Sequence, residues 1–287
     1  MLIAIRTDEF RAVLHHFPTR RRAEGSNRFY EHARIRPRGK AEIGVAITKS
    51  PEQGQSAAQA TASDMINDLA PRWILLVGIA GGVPDTEYSL GDVVLSNRLH
   101  DFSVTAAFQG GTVEHQQQGG PPHIEVEKLL AHLTAMEEDF TGWNSVESLG
   151  MARPTEAVPD KPDRHYYGDE EWKRSVYRSI KANFTGAAAT RLPRYIVSPT
   201  ISSNTLVKDT GLARQWGKSA RHASAVEMEL GGLYVAARHD GTGSTRVLAV
   251  RGLSDIVGYK RNPDWTAFAC KSAAALTFAL IAAGLIY

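Results

Sequence analysis

Trp73-Ile74-Leu75-Leu76-Val77-Gly78-Ile79-Ala80-Gly81-Gly82 is the stretch that decides the fold. A strand with one face in water alternates apolar and polar residues. The unbroken apolar run from Trp73 to Ile79 is the pattern of a strand buried on both faces of a sheet. Consecutive glycines at its end let the backbone come close to an anion or a sugar, with N–H groups free to point at it. The spacing fits neither a Walker loop nor G-x-G-x-x-G.

Working outward, Leu2 to Ile5 reads as a short buried strand and Asp8 to His16 as a helix. Ile43 to Thr48 reads as a second strand. Gly54 to Leu69 is Ala-rich, carries Met65, Ile66 and Leu69 at helical spacing and is closed by Pro71. Downstream, Val93 to Leu95, Tyr195 to Val197 and Val247 to Val250 read as strands. The spacing predicts helices over about 124–140, 169–184 and 264–283, and a further one capped by Ser224 and running to Ala237. Residues 109–123 read as a loop, and 151–168, with Pro154, Pro159 and Pro162, as an extended surface segment. Strands alternating with helices indicate an α/β class with a largely parallel, twisted sheet. One domain over 1–287 accommodates all of this, with 112–192 as an elaboration on the core.

Composition is that of an ordinary globular chain: 287 residues, 43% hydrophobic, 22% charged, net charge +2. Residues 1–40 nevertheless hold ten Lys and Arg against four acids. The plainer reading is a solvated basic loop; the sharper one is an electropositive rim that steers a phosphorylated small molecule. Without interleaved aromatics it is no single-strand binding platform, so nucleic acid is disfavoured as a partner. Cys270 is the sole cysteine, which excludes an intramolecular disulfide and fits a reducing, cytoplasmic setting. No zinc-ligand spacing is present and no cofactor is implied. The apolar run at 272–287 falls short of the roughly 20 residues of a membrane span and reads as a buried closing helix. The expectation is a soluble protein without a membrane partner.

Two further clusters stand at strand ends, where open α/β sheets place ligands. Val226-Glu227-Met228-Glu229 puts two acids one residue apart in an apolar segment. At a helix start both cannot face the same way, and one is accounted for as a first-turn acid. A carboxylate there can also accept both hydroxyls of a vicinal diol. Arg251-Gly252-Leu253-Ser254-Asp255 follows the apolar strand at 247–250. Its acid is either a turn residue or, shielded from water, a proton donor to a leaving base.

Taken in order with Leu90-Gly91-Asp92-Val93-Val94, these clusters resemble the nucleoside phosphorylase and nucleosidase superfamily, in particular the methylthioadenosine/S-adenosylhomocysteine nucleosidases and the purine and uridine phosphorylases. His100-Asp101 with Val104-Thr105-Ala106, and Ser202-Ser203-Asn204-Thr205-Leu206-Val207-Lys208-Asp209, extend the likeness, which spans about 2–111 and 194–283. Val257-Gly258-Tyr259-Lys260-Arg261 and Trp265 resemble phosphorylase-like domains of immune systems. The resemblance implies a three-layer αβα fold with a central, twisted, mostly parallel mixed sheet, and a homodimer or larger homo-oligomer. It implies that Glu229 binds the ribose 2′- and 3′-hydroxyls, with Met228 packed on the sugar and Glu227 supporting the loop. Asp255 would be the general acid at purine N7. Ala80 and Gly81 would border the substrate, and Leu206 and Val207 would line the base pocket. Glu9 would orient the attacking water, with Asp8 as the alternative.

One departure from the family bears on the nucleophile. Phosphorylases of the family carry Ser or Thr where Ile79 stands and an Arg slightly upstream, whereas Leu75-Leu76-Val77-Gly78-Ile79 offers neither. Water is therefore favoured over phosphate, unless Arg6 or the arginines of 20–40 supply phosphate binding. The reading is an N-glycosidase that hydrolyses the base–ribose bond of a purine, specifically adenine, nucleoside or of a nucleotide such as ATP. The alternatives are a phosphate-dependent purine nucleoside phosphorylase and a nucleotide-sensing module without turnover.

Overall fold

In the computed structural model, which describes residues 1–107, 113–205 and 209–287, Ile74 and Leu76 point into one apolar core and Leu75 and Val77 into another. The same alternation holds for Val247 and Ala249 against Leu248 and Val250. A strand whose successive side chains enter two different cores has helices on both of its faces.

In chain order the elements are β1 (Leu2–Ala4), α1 (Thr7–His15), β2 (Arg20–Glu24), β3 (Phe29–Ile35), β4 (Ile43–Lys49), α2 (Gln55–Leu69), β5 (Trp73–Gly82), β6 (Val93–Ala107), β7 (Val113–Gly120), α3 (Ile124–His132), α4 (Val146–Leu149), α5 (Glu170–Phe184), β8 (Tyr195–Ser202), α6 (Thr210–Ser219), β9 (Ala225–Glu227), α7 (Leu230–Arg238), β10 (Arg246–Ile256) and α8 (Pro263–Ala282). All ten strands of the described residues join one sheet. Helices α2 and α7 cover one face, and α1, α5 and α8 the other, giving three αβα layers. The closing helix α8 lies in the core, with Trp265, Phe268, Ala273 and Leu276 fully buried and Cys270 among them. It packs so close to β10 that a Cβ on Gly252 would overlap the Ala269 carbonyl.

The order of strands positions the site. Strand β5 lies between β1 and β10, both parallel to it, and β4 lies parallel on the far side of β1. On the other side the sheet runs from β10 through β6 and β8 to β9, and β9 bonds back to β5 at Gly81 and Gly82. Strong twist thus curls this half of the sheet until it meets itself. Gly81 pairs with Asp255 of β10 on one side and with Val226 of β9 on the other.

Several expectations are corrected. Residues 20–35 are an antiparallel hairpin, β2 and β3, rather than a basic loop. Arg20 and Arg22 pair with Glu31 of the same hairpin, Arg28 with Asp64 of α2 and Arg34 with Glu42 just before β4, so four of its arginines are matched by acids. Part of the loop expected at 109–123 is β7, paired to β6. The helix expected over 124–140 changes at Leu133 to 3-10 geometry that runs to Phe140. Ser224 caps no helix: 225–227 is a strand and α7 starts at Leu230. The strand runs on through both paired glycines, whose backbones enter ladders with β9 and β10.

Candidate active site

At the carboxyl ends of β1, β5 and β10 a cavity of about 180 Å³ opens, bordered on its remaining side by the segment after β9. It is lined by Ile79, Ala80 and Gly81 of β5, by Met228 and Glu229 after β9, and by Asp255 of β10. The curl of the sheet brings these together, since Asp255 and Val226 both sit beside Gly81.

Glu227 is buried at the end of β9. Its Oε2 accepts the N–H groups of Glu229 and Leu230 at 3.0 Å each. These are donors of the first turn of α7, which have no partner inside the helix, so the carboxylate caps them and sets the path of the chain at 228–230. Glu229 is the residue just before that helix, with Oε1 taking the Gly54 N–H at 3.3 Å. The other oxygens converge: Arg251 Nη2 donates to Glu227 Oε2 at 2.6 Å and to Glu229 Oε2 at 2.7 Å. The two acids therefore do face one way, contrary to what a helix start would allow. Residue 227 ends a strand, and in extended chain residues two apart share a face.

Arg251 is 1% exposed. Burial works against its charge, but Glu227, Glu229 and Glu9 more than offset this and hold its proton more tightly than usual. Burial also pushes the Glu229 carboxyl up to about 7; Arg251 opposes that rise, and the negative neighbours Glu227 and Glu9 add to it. The signal for Arg251 was present in the sequence as a cation within a buried strand, a placement that requires partner acids. Its role was not read from it.

Glu9, on α1, reaches the cavity with both oxygens engaged by backbone. Oε2 accepts the Ile5 and Arg6 N–H groups at 2.9 and 2.8 Å, and Oε1 accepts the Ile79 N–H at 2.9 Å. An oxygen with two lone pairs and one donor can accept one more hydrogen bond, so Oε1 retains one acceptor position, and Glu9 is among the residues that line the cavity. Gly78 makes this approach possible: a Cβ there would overlap Glu9 Oε1 and lie 2.8 Å from Arg251 Nη1. Asp8 instead forms a bidentate pair with Arg6, at 2.9 and 2.6 Å.

Asp255 sits at a bulge in β10. Ser254 Oγ donates to its Oδ1 at 2.6 Å, Arg261 Nε stands 3.8 Å from the same oxygen, and the side chain is 30% exposed. Leu206 and Val207 lie outside the described residues; their neighbour Thr205 lines the cavity.

The elaboration supplies residues that sequence reasoning missed. Tyr167 enters the cavity wall, held by its N–H on the Gly258 carbonyl at 2.8 Å. Glu156, 2% exposed, accepts from Tyr259 Oη at 2.7 Å and Trp265 Nε1 at 3.0 Å, and pairs with Lys260 Nζ at 3.1 Å. Trp265 thus serves the wall from behind, and segment 151–168 is a strap tied to the stretch that follows Asp255.

The family model described as the phosphorylase superfamily matches residues 8–283. A death domain-containing ATP nucleosidase from Amphimedon queenslandica is 24% identical over 235 residues, which is 81% of this chain; the chain spans 38% of that relative's length. Among solved structures, a methylthioadenosine/S-adenosylhomocysteine nucleosidase from Colwellia psychrerythraea in complex with adenine superposes with a TM-score of 0.64 at 15% identity, covering 99% of this chain and 94% of that one. The futalosine hydrolase of Helicobacter pylori gives 0.59 at 13% identity, covering 98% and 95%. At such identities the structural likeness speaks for the fold.

Proposed function

The chain belongs to the phosphorylase superfamily, and we propose that it is a purine N-glycosidase that uses water to release adenine from a nucleoside or nucleotide. The observation that carries the choice of water is at Ile79. Its side chain offers no donor, and its N–H is already given to Glu9. Around that point stand the carboxyls of Glu9 and Glu227, and that of Glu229 with its raised pKa, against the one buried guanidinium of Arg251, while Arg6 is engaged by Asp8. A phosphate dianion beneath the sugar would face net negative charge in a site of low dielectric, which a neutral water does not.

In this reading the base lies against Tyr167 and Asp255, and the ribose diol against Glu229 and Met228. As the C1′–N9 bond stretches, its electron pair passes to the purine and Asp255 delivers a proton to N7. Positive charge gathers on the ribose, and the surrounding carboxyls stabilise it electrostatically. Water adds to C1′ and its proton goes to Glu9 Oε1, the acceptor with a position left. Protonated Glu9 and ionised Asp255 return to their starting states by exchange with solvent, and the products are free base and a sugar with an anomeric hydroxyl. Proton delivery of this kind contributes about 10²–10⁴-fold.

The test is incubation with adenosine and adenine nucleotides, with and without inorganic phosphate, followed by identification of the sugar. Free adenine with a reducing sugar, at a rate indifferent to phosphate, is the expected outcome. A phosphate-dependent rate that yields a sugar 1-phosphate would establish phosphorolysis instead, and binding with no release of base would establish a sensor.

A further inference from the structure

The active-site cavity does not end at Glu229. Beside it lies a second cavity of about 510 Å³, and the two share Ile5, Arg6 and Gln53 as their common wall. The second is completed by Asp8 and Arg11 of α1 and by Lys49 and Glu52 at the end of β4. Its position follows from the sheet. Strands β10, β5, β1 and β4 are consecutive parallel neighbours, so their carboxyl ends form a row in which Asp255, Ile79, Arg6 and Lys49 succeed one another. At about 4.8 Å between strands, three steps make roughly 14 Å. That is the scale of a nucleotide from base to phosphate.

We infer that this annex receives the 5′-phosphate chain of a nucleotide, so that the preferred substrate is a nucleoside polyphosphate. The inference rests on the N-glycosidase reading for the placement of base and ribose. With the base at Asp255 and the diol at Glu229, whose Oε1 touches Gly54 N, the sugar ends beside Gln53 and its 5′-oxygen leaves through the shared wall.

The charge is arranged to match. Arg6 is neutralised by Asp8, and Glu52 is an exposed acid. Among the described residues Arg11 and Lys49 form no ion pair, and Lys49 Nζ donates only to the Ser50 carbonyl, at 3.0 Å. Two cations without acid partners thus flank an annex whose neighbour, the sugar site, is rich in carboxyls. A phosphate chain is repelled from the second and attracted to the first, which fixes the direction in which a nucleotide enters.

Equilibrium binding of ATP and adenosine to the full chain, alongside base release from each, tests this. The unmodified protein should bind ATP more tightly than adenosine. The double substitution Arg11→Ala/Lys49→Ala should weaken ATP about tenfold or more, the loss of at least one charge-assisted contact. Adenosine binding should stay within about twofold, which also shows that the variant folds. Equal weakening of both ligands, no weakening of ATP, or tighter binding of adenosine than ATP by the unmodified protein overturns the annex. If ATP binding depends on Arg11 and Lys49 while no ligand loses its base, the annex stands and the N-glycosidase reading falls.

Discussion

Arg251 Nη2 donates to Glu229 Oε2 at 2.7 Å within the fold, joining the strand that carries Asp255 to the residue at the entry of α7. Guanidinium and carboxylate are 1% and 8% exposed. Removing one partner of a buried pair leaves the other charge without compensation. Arg251→Met, which keeps much of the volume, should cost about 3–5 kcal/mol of stability. Denaturant unfolding of purified variant and parent reads this; a loss under about 1 kcal/mol would show that the acids relax by taking up protons.

Asp255→Asn retains shape and hydrogen bonding to a base but has no carboxylic proton. Base release should fall by about 10²-fold or more, with affinity for substrate changed far less. Single-turnover rates measured beside equilibrium binding separate the two. Full activity in this variant would remove Asp255 from the reaction.

The raised Glu229 carboxyl predicts a pH dependence whose sign can be worked out. Its folded value, about 7, exceeds its ordinary value of 4.5. The folded state therefore holds this proton over a window in which the unfolded chain has lost it. The contribution to stability is greatest below about 4.5 and is lost as pH rises toward 7. Diol binding has the opposite sense, because the ionised form accepts both hydroxyls, so kcat/KM for ribosides should climb over the same window. Glu229→Gln should flatten both profiles. Equal use of 2′-deoxy substrates and ribosides by the parent enzyme would defeat the diol role.

Neutralising Arg20, Arg21 and Arg22 together should leave the ratio of nucleotide to nucleoside turnover unchanged. They lie on β2, the edge strand two positions beyond β4, and line neither the active-site cavity nor the annex. None of these three residues lines either cavity, which favours the solvated reading of the basic segment over the steering rim. A selective loss on nucleotides in steady-state kinetics would restore it.

Glu156→Ala would leave Tyr259 Oη, Trp265 Nε1 and Lys260 Nζ without their common acceptor. Orphaned buried donors cost about 1–3 kcal/mol each, less where water reaches them. The expected result is reduced stability with a raised KM, since Tyr167 and Tyr259 shape the cavity wall. Glu156→Gln, which still accepts, should recover most of KM. A KM unmoved in both variants would leave the strap a purely structural tie.

What could be read from the sequence follows from where each residue sits. Strands buried on both faces announce themselves by apolar runs, and so β1, β4, β5 and β10 were legible. The hairpin at 20–35 was not, because β2 is Arg20-Arg21-Arg22-Ala23-Glu24, an edge strand almost wholly exposed, with no apolar alternation to report it. Strand β7 hides in the same way behind Gln116-Gln117-Gln118. At the site, Glu229 and Asp255 drew attention because acids at strand ends stand out against apolar neighbours, whereas Glu9, inside α1, was singled out only by the family resemblance. The meeting of Glu227 and Glu229 on Arg251 depended on a three-residue strand too short to leave a period. Glu156 lies among prolines in an irregular segment, where its sequence surroundings carry no sign of burial.

Because Gly81 is flanked by both Asp255 and Val226, the acid of β10 and the segment that leads to Glu229 hang from one backbone position, while the strap is an appended segment and the annex lies farther along the sheet, at the ends of β1 and β4. Chemistry and choice of ligand thus occupy separable parts of the molecule. On the proposed reading, substitutions along the strap or the annex would retune which adenine compound is taken without altering the spacing between Asp255, Gly81 and the segment that leads to Glu229.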